Sequence, residues 1–178
     1  LPVTDDSSAA ELLATGISAV KTGDLATAEA AAERLMGLAE GGNPGSQIMY
    51  REVAALVHAA KGEADAATAL MDEAIEITGR MRLPNGAASP VKPPYELYGE
   101  ILLELDRPAD AVAKFETSLE RMPGRVRSVL GLARAAAQTG DSATAAEQYS
   151  LLLSTWQGRS ELPGYDEASR YLQQTNDQ

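Results

Sequence analysis

The sequence predicts an all-α protein, a stack of helix pairs closed by a C-terminal helix, and three observations predict it. Apolar residues recur with helical period through almost all of the 178 residues, and no segment alternates apolar and polar residues for long enough to form a strand. Turn signals interrupt that period at regular intervals. Aromatic residues make up only 4% of the chain while alanine is abundant, so the helices must approach one another through small side chains. The length suits one domain, residues 1–178, with one continuous core.

Eight main helices and a shorter ninth follow from the local signals. A capping box, Ser8-x-x-Glu11, opens the first, which runs to about Thr22; Gly23 closes it and Asp24 caps the second, Leu25 to Glu40. Gly41-Gly42-Asn43-Pro44-Gly45 breaks the chain, so the third helix is expected over Ser46 to Lys61 and the fourth, after Gly62-Glu63, over Ala64 to Arg80. The connection from Arg82 to Pro94 carries Pro84, Pro90, Pro93 and Pro94 around an Asn85-Gly86 turn, which rules out continued helix. Helix five starts near Tyr95, and helix six has Pro108 in its first turn, where the missing N–H costs nothing. Helix seven covers Val126 to Gln138 after Pro123-Gly124, and helix eight ends near Trp156. The ninth, about Tyr165 to Gln173, turns Tyr165, Ala168 and Leu172 to one face and can cover the last pair, leaving Thr175 to Gln178 as a frayed end.

The second half repeats itself. Ala111 and Ala145, Phe115 and Tyr149, and Asp106 and Gly140 are each separated by 34 residues. Tyr95, Tyr98-Gly99, Leu102, Ala111, Phe115 and Pro123 stand in the order aromatic, large apolar with glycine, apolar, alanine, aromatic, proline. In this the chain resembles the tetratricopeptide repeat family. Val129, Leu132-Ala133, Ala136, Gly140-Asp141, Ala145, Tyr149 and Leu152 fill the same places in the next pair, with Ala133 substituting for the glycine. Departures are Tyr98 for the usual leucine, Leu102 for the usual tyrosine and Ser118 for the usual alanine.

The first half is looser, with Leu12, Gly16, Ala19, Ala28 and Leu35 in one pair and Ala54-Ala55, Ala67, Met71 and Ala74 in the other. Its turns are 39 and then 44 residues apart, so the extra residues sit in loops. The resemblance implies a right-handed superhelical solenoid of about four pairs, at residues 9–40, 46–81, 94–123 and 125–157, with a capping helix at 164–174. The segment from the ELYGEILLEL helix onward is also similar to the C-terminal third of larger bacterial repeat proteins, which would make this chain part of a longer one. A start at Leu1 without methionine fits a processed or excised chain.

Charge and composition exclude several function classes. Lys+Arg 15 against Asp+Glu 26 gives a formal net charge of -11, which repels polyphosphate and anionic membrane surfaces, so nucleic acid is not an expected partner. Without cysteine there is no disulfide, thiolate or Cys-type zinc chemistry. No apolar run approaches the roughly 18 residues that span a bilayer, so no membrane insertion is expected, and a soluble chain of cytoplasm or periplasm is.

Residues for chemistry are sparse. His58 is the only histidine, expected to bridge helices as a packing residue; Gly41 to Ser46 lacks the lysine and strand of a phosphate loop; Asp72, Glu73 and Glu76 sit on an outer face with no cleft to shift their pKa values. No catalytic residue, cofactor or metal is expected. Glu96, Glu100 and Glu104, at i, i+4 and i+8, form one carboxylate stripe, and by resemblance they fall on or beside the ligand-facing side.

The resemblance places Met49, Glu52 and Leu56 of helix three, Leu13 and Ile17 of helix one and Arg127, Leu130 and Arg134 of helix seven on that side too. The plainer reading is that Glu100 and Glu104 pair with Arg127 and Arg134 or form a solvated face. The family's clamp for a peptide's terminal carboxylate needs Lys, Asn and Arg donors, whereas Leu13, Ile17, Val53, Pro93 and Leu97 stand in the corresponding places. The expected function is therefore a scaffold binding a basic or mixed apolar and charged peptide or protein. The alternative is an accessory or oligomerising region of a larger, exported enzyme or secretion-related protein, which would self-associate or dock its parent. The Arg82 to Pro94 connection would be a plain spacer or a docking loop.

Overall fold

A computed structural model describes residues 3–4, 6–83 and 91–176, so the expected turn at Asn85-Gly86 with Pro84 and Pro90 lies outside the described residues. Nine α-helices and no strand are found among them. They run α1 Ala9–Thr22, α2 Leu25–Ala39, α3 Pro44–Ala60, α4 Ala64–Arg80, α5 Pro94–Glu104, α6 Pro108–Arg121, α7 Val126–Thr139, α8 Ser142–Trp156 and α9 Tyr165–Asn176.

Caps fix these bounds. Ser8 and Glu11 close the capping box, the Glu11 N–H donating to Ser8 Oγ at 3.3 Å and the Ser8 N–H to Glu11 Oε2 at 2.8 Å. Gly23 and Gly140 take the left-handed conformation at φ 78° and 83°, and Asp24 and Asp141 then cap α2 and α8 by accepting the N–H of Thr27 and Thr144, both at 3.1 Å. At the equivalent turn before α6 the left-handed residue is Asp106, φ 57°. α3 starts two residues earlier than expected: Asn43 Oδ1 accepts the N–H of Gly45 and Ser46 at 2.8 and 3.2 Å, and Pro44 occupies the first turn. The Gly-Pro stretch read as a breaker is thus the cap of the next helix.

The chain forms two compact units, residues 1–105 and 106–178, with the division in the turn between α5 and α6. In the first, α1 packs on α2 and α3, α3 on α4 and α5, and α4 on α5, so that α1, α3 and α5 follow one another as one layer. Leu12, Leu13, Ala31, Ala32, Leu35, Val53 and Ala54 make its core. A Cβ at Gly16 would overlap the Val53 side chain, so α1 and α3 approach to a distance only glycine permits.

In the second unit α6 packs on α7, α7 on α8 and α8 on α9. Phe115 of α6 is fully buried, and the residue that makes room for its ring is Gly131, where a Cβ would overlap it. Val129, Leu130, Ala133, Ala145, Tyr149, Leu152 and Trp156 continue the core, and α9 closes it with Ala168 buried and Tyr165 and Leu172 packed alongside. Among the described residues no helix is long and apolar enough to cross a membrane.

Candidate functional site

Four ionisable side chains from α3, α5 and the segment before α5 converge in the first unit. Lys92 stands in a bend just ahead of Pro93 and Pro94, and the chain then enters α5 with Pro94 in its first turn. That geometry turns the lysine stem along the helix it precedes. Lys92 Nζ donates to Glu96 Oε1 at 3.0 Å and to Glu100 Oε2 at 2.7 Å. The Lys92 side chain is 11% exposed, that of Glu96 0% and that of Glu100 31%, so the group opens to solvent at its Glu100 end. Exposed Glu104 continues the stripe, and Lys21 of α1 is close enough to favour its ionised form.

Glu52 of α3 is the fourth member, and both its carboxyl oxygens are buried with no hydrogen-bond partner. Burial pushes its carboxyl well above the usual carboxylate range; the Lys92 charge opposes that rise, and Glu96 and Glu100 add to it. A buried polar group without a partner is costly, about 1–3 kcal/mol, so a folded chain rarely keeps one. Glu104 is raised as well, by the loss of solvation around its carboxyl and then by the Glu100 charge. The site thus holds three carboxyl groups around one ammonium, with a surplus of acid on the inside. Among the described residues no group of acidic or histidine side chains is arranged to hold a metal ion.

The other residues expected on the ligand-facing side are placed differently. Leu13 and Leu56 are buried, at 3% and 8% exposure, while Ile17 and Met49 are half-buried against the core of the first unit. Glu52 and Glu96 have no exposed surface. In the second unit Arg127 is exposed, Leu130 packs in the core, and Arg134 reaches Glu167 of α9, its Nε and Nη2 donating at 2.9 and 2.6 Å. Tyr149 also donates to Glu167, at 2.7 Å, so the arginine serves to dock α9.

His58 lies at the end of α3, where its Nδ1 shares a hydrogen bond with Glu63 across the turn to α4 rather than bridging helices. An open groove of about 320 Å³ between α2 and α3, floored by Ala32, Met36, Tyr50 and Ala54, has an ion pair of Lys61 with Glu29 and the His58–Glu63 hydrogen bond at its edge. Lys61 and His58 thus have partners there, whereas the carboxyl oxygens of Glu52 have none.

The member missed in the sequence is Lys92. Its signal was present, since it stands four residues before Glu96 and eight before Glu100, but it lies outside the helix and so drew no helical pairing argument.

Residues 99–160 match the family model described as tetratricopeptide repeat. That stretch carries a tetratricopeptide repeat. The match begins within α5 and runs through α6, α7 and α8, the stretch in which the 34-residue register is strictest. No curated protein matches the chain. Tetratricopeptide repeats generally mediate protein–protein interaction, through surfaces built from successive helix pairs.

Proposed function

We propose that the chain is a protein- or peptide-binding scaffold that takes a basic partner along the α1, α3 and α5 layer of its first unit. The observation that supports this is the carboxylate group of Glu52, Glu96 and Glu100, which has more acid than its one lysine balances and opens at Glu100 toward Glu104. A net charge of -11 works in the same direction, since it steers positive partners to the chain and keeps anionic ones away. The half-buried Ile17 and Met49 offer limited apolar contact beside the carboxylates, which suits a peptide of mixed character. Residues carried by the core, Leu13 and Leu56 among them, contribute by holding α1 and α3 in place.

The experiment is selection of random nonapeptides displayed on phage against the whole chain, followed by titration of the enriched peptides in solution. Peptides enriched in lysine or arginine are expected, with affinity falling at least tenfold when Glu100 and Glu104 are both changed to lysine. These two positions are chosen because their side chains reach solvent; since Glu100→Lys also faces Lys92, the helicity and Tm of the double variant are measured first. Enrichment of acidic or wholly apolar peptides, or affinity indifferent to the double change, overturns the proposal.

A further inference from the structure

We infer that Lys92 is an internal stand-in for a lysine of the partner: Glu52, Glu96 and Glu100 form a preformed alkylammonium site that the chain fills with its own side chain until a partner's lysine replaces it. This rests on the reading of that layer as the binding surface and names the group recognised there. Three observations carry it.

Lys92 belongs to no helix of the stack. It comes from the bend before α5, ahead of the buried Pro93 and Pro94, so the backbone after it is held in place while its own side chain is part of no helix. The Lys92 side chain can therefore leave without unpacking a helix.

The carboxylates are built into the helices. Glu96 is fully buried on α5 and Glu52 fully buried on α3, two helices in direct contact, so the acceptors stay where they are whether or not a cation lies between them. Preorganised acceptors around a cation-sized place are what a receptor for an ammonium needs, because no acceptor has to be reoriented on binding.

Glu52 makes no hydrogen bond. An ammonium has three donors, and Lys92 directs two of them to Glu96 and Glu100. Glu52 lies near enough to feel the charges of Lys92, Glu96 and Glu100, yet its oxygens accept nothing. A structural ion pair would have no use for this third acid. A lysine entering from the Glu100 end, with its stem on a different path from that of Lys92, can direct its third donor to Glu52. The incoming lysine then makes one more bond than the resident one, which is the differential contact that displacement requires.

The test uses the whole chain with Lys92→Ala, which removes the resident ammonium and opens room for a small amine. Thermal unfolding is followed with butylammonium chloride, with butanol and with sodium chloride at equal concentration. The expected result is a lower Tm for Lys92→Ala that butylammonium restores saturably while butanol and sodium chloride do not, and a restoration at least tenfold weaker when Glu52→Gln is added. Should Lys92→Ala be unfolded alone, folding that depends on butylammonium is the equivalent result, and a chain unfolded in its presence overturns the inference.

Nα-acetyl-lysine amide, titrated by calorimetry, should bind Lys92→Ala at least tenfold more tightly than the unaltered chain, which still carries its competitor, and more tightly than free putrescine binds. Equal affinity for the two chains overturns the displacement, and preference for putrescine overturns the assignment to a protein lysine. The two readings fail separately. Amine rescue without any basic peptide selected would sink the scaffold proposal alone, and basic peptides selected without amine rescue would sink the stand-in alone.

Discussion

In residues 106–178 the buried polar groups close on one another: Ser118 and Ser128 share a hydrogen bond at 2.9 Å inside the core, and Tyr149 donates to a Glu167 already held by Arg134. Residues 1–105 contain a buried Glu52 whose two oxygens have no partner, beside a lysine shared between two other carboxylates. Both regions are stacks of small-residue helices, with the same Gly-Asp cap at Gly23-Asp24 and Gly140-Asp141. The difference is therefore not one of architecture. A satisfied polar network adds stability and rigidity, whereas an unsatisfied buried acid subtracts stability.

The comparison can be broken or sharpened by mutation. Phe115→Ala should have the largest effect, a loss of about 3–5 kcal/mol, because it removes a fully buried ring that packs against Gly131 of α7; hydrogen exchange should show protection falling in α6 to α9 and persisting in α1 to α4. Equal loss in both regions would show that the two units unfold as one. Next come the crossing glycines. Gly131→Val and Gly16→Val should each cost at the upper end of about 1–3 kcal/mol by denaturant titration, since the new side chain meets Phe115 in one unit and Val53 in the other.

Glu52→Met should go the opposite way and stabilise the chain by about 1–3 kcal/mol, replacing an unbonded buried acid with an apolar side chain of similar size. The pH dependence follows from the raised carboxyl: the folded chain keeps a proton that the unfolded chain gives up near pH 4.3, about the free glutamate value. Its contribution to stability is full below that pH and is lost as pH rises through the raised folded value. Glu52→Gln should flatten this part of the profile, and an unchanged profile would move the titration to another group.

The smallest effect is expected at Glu167→Gln, below about 1 kcal/mol, because the Arg134 and Glu167 side chains are 45% and 32% exposed and water screens the pair. Arg134 holds the Glu167 carboxyl below the usual range, so what the pair contributes is present above the unfolded value and lost as pH falls through the lowered one. Urea titrations at pH 7 and at pH 3 check it, the variant differing from the unaltered chain only at the higher pH.

Much of the fold was legible in the residues. The helix bounds followed from Ser8-x-x-Glu11, Gly23-Asp24, Pro108 and Gly140-Asp141 because caps are local chemistry, settled by side chains three residues apart. The start of α3 was missed because Asn43 caps as readily as it turns, and nothing local decides between the two. The candidate site was half legible. Helical period put Glu96 and Glu100 on one stripe, but period alone cannot say whether a stripe faces water or a neighbouring helix, and the structure buries Glu96 entirely.

By itself, then, the sequence determined the all-α class, the helix pairs, the 34-residue register and the absence of cysteine chemistry, since each depends on residue type and spacing along the chain. Only the tertiary structure decided that Gly131 makes room for Phe115, that Lys92 folds back onto Glu96 and Glu100, and that Glu52 lies beside them with nothing to bond. The physical reason is distance in the chain. Glu52 and Lys92 are 40 residues apart, and burial is a property of what packs on a residue rather than of the residue.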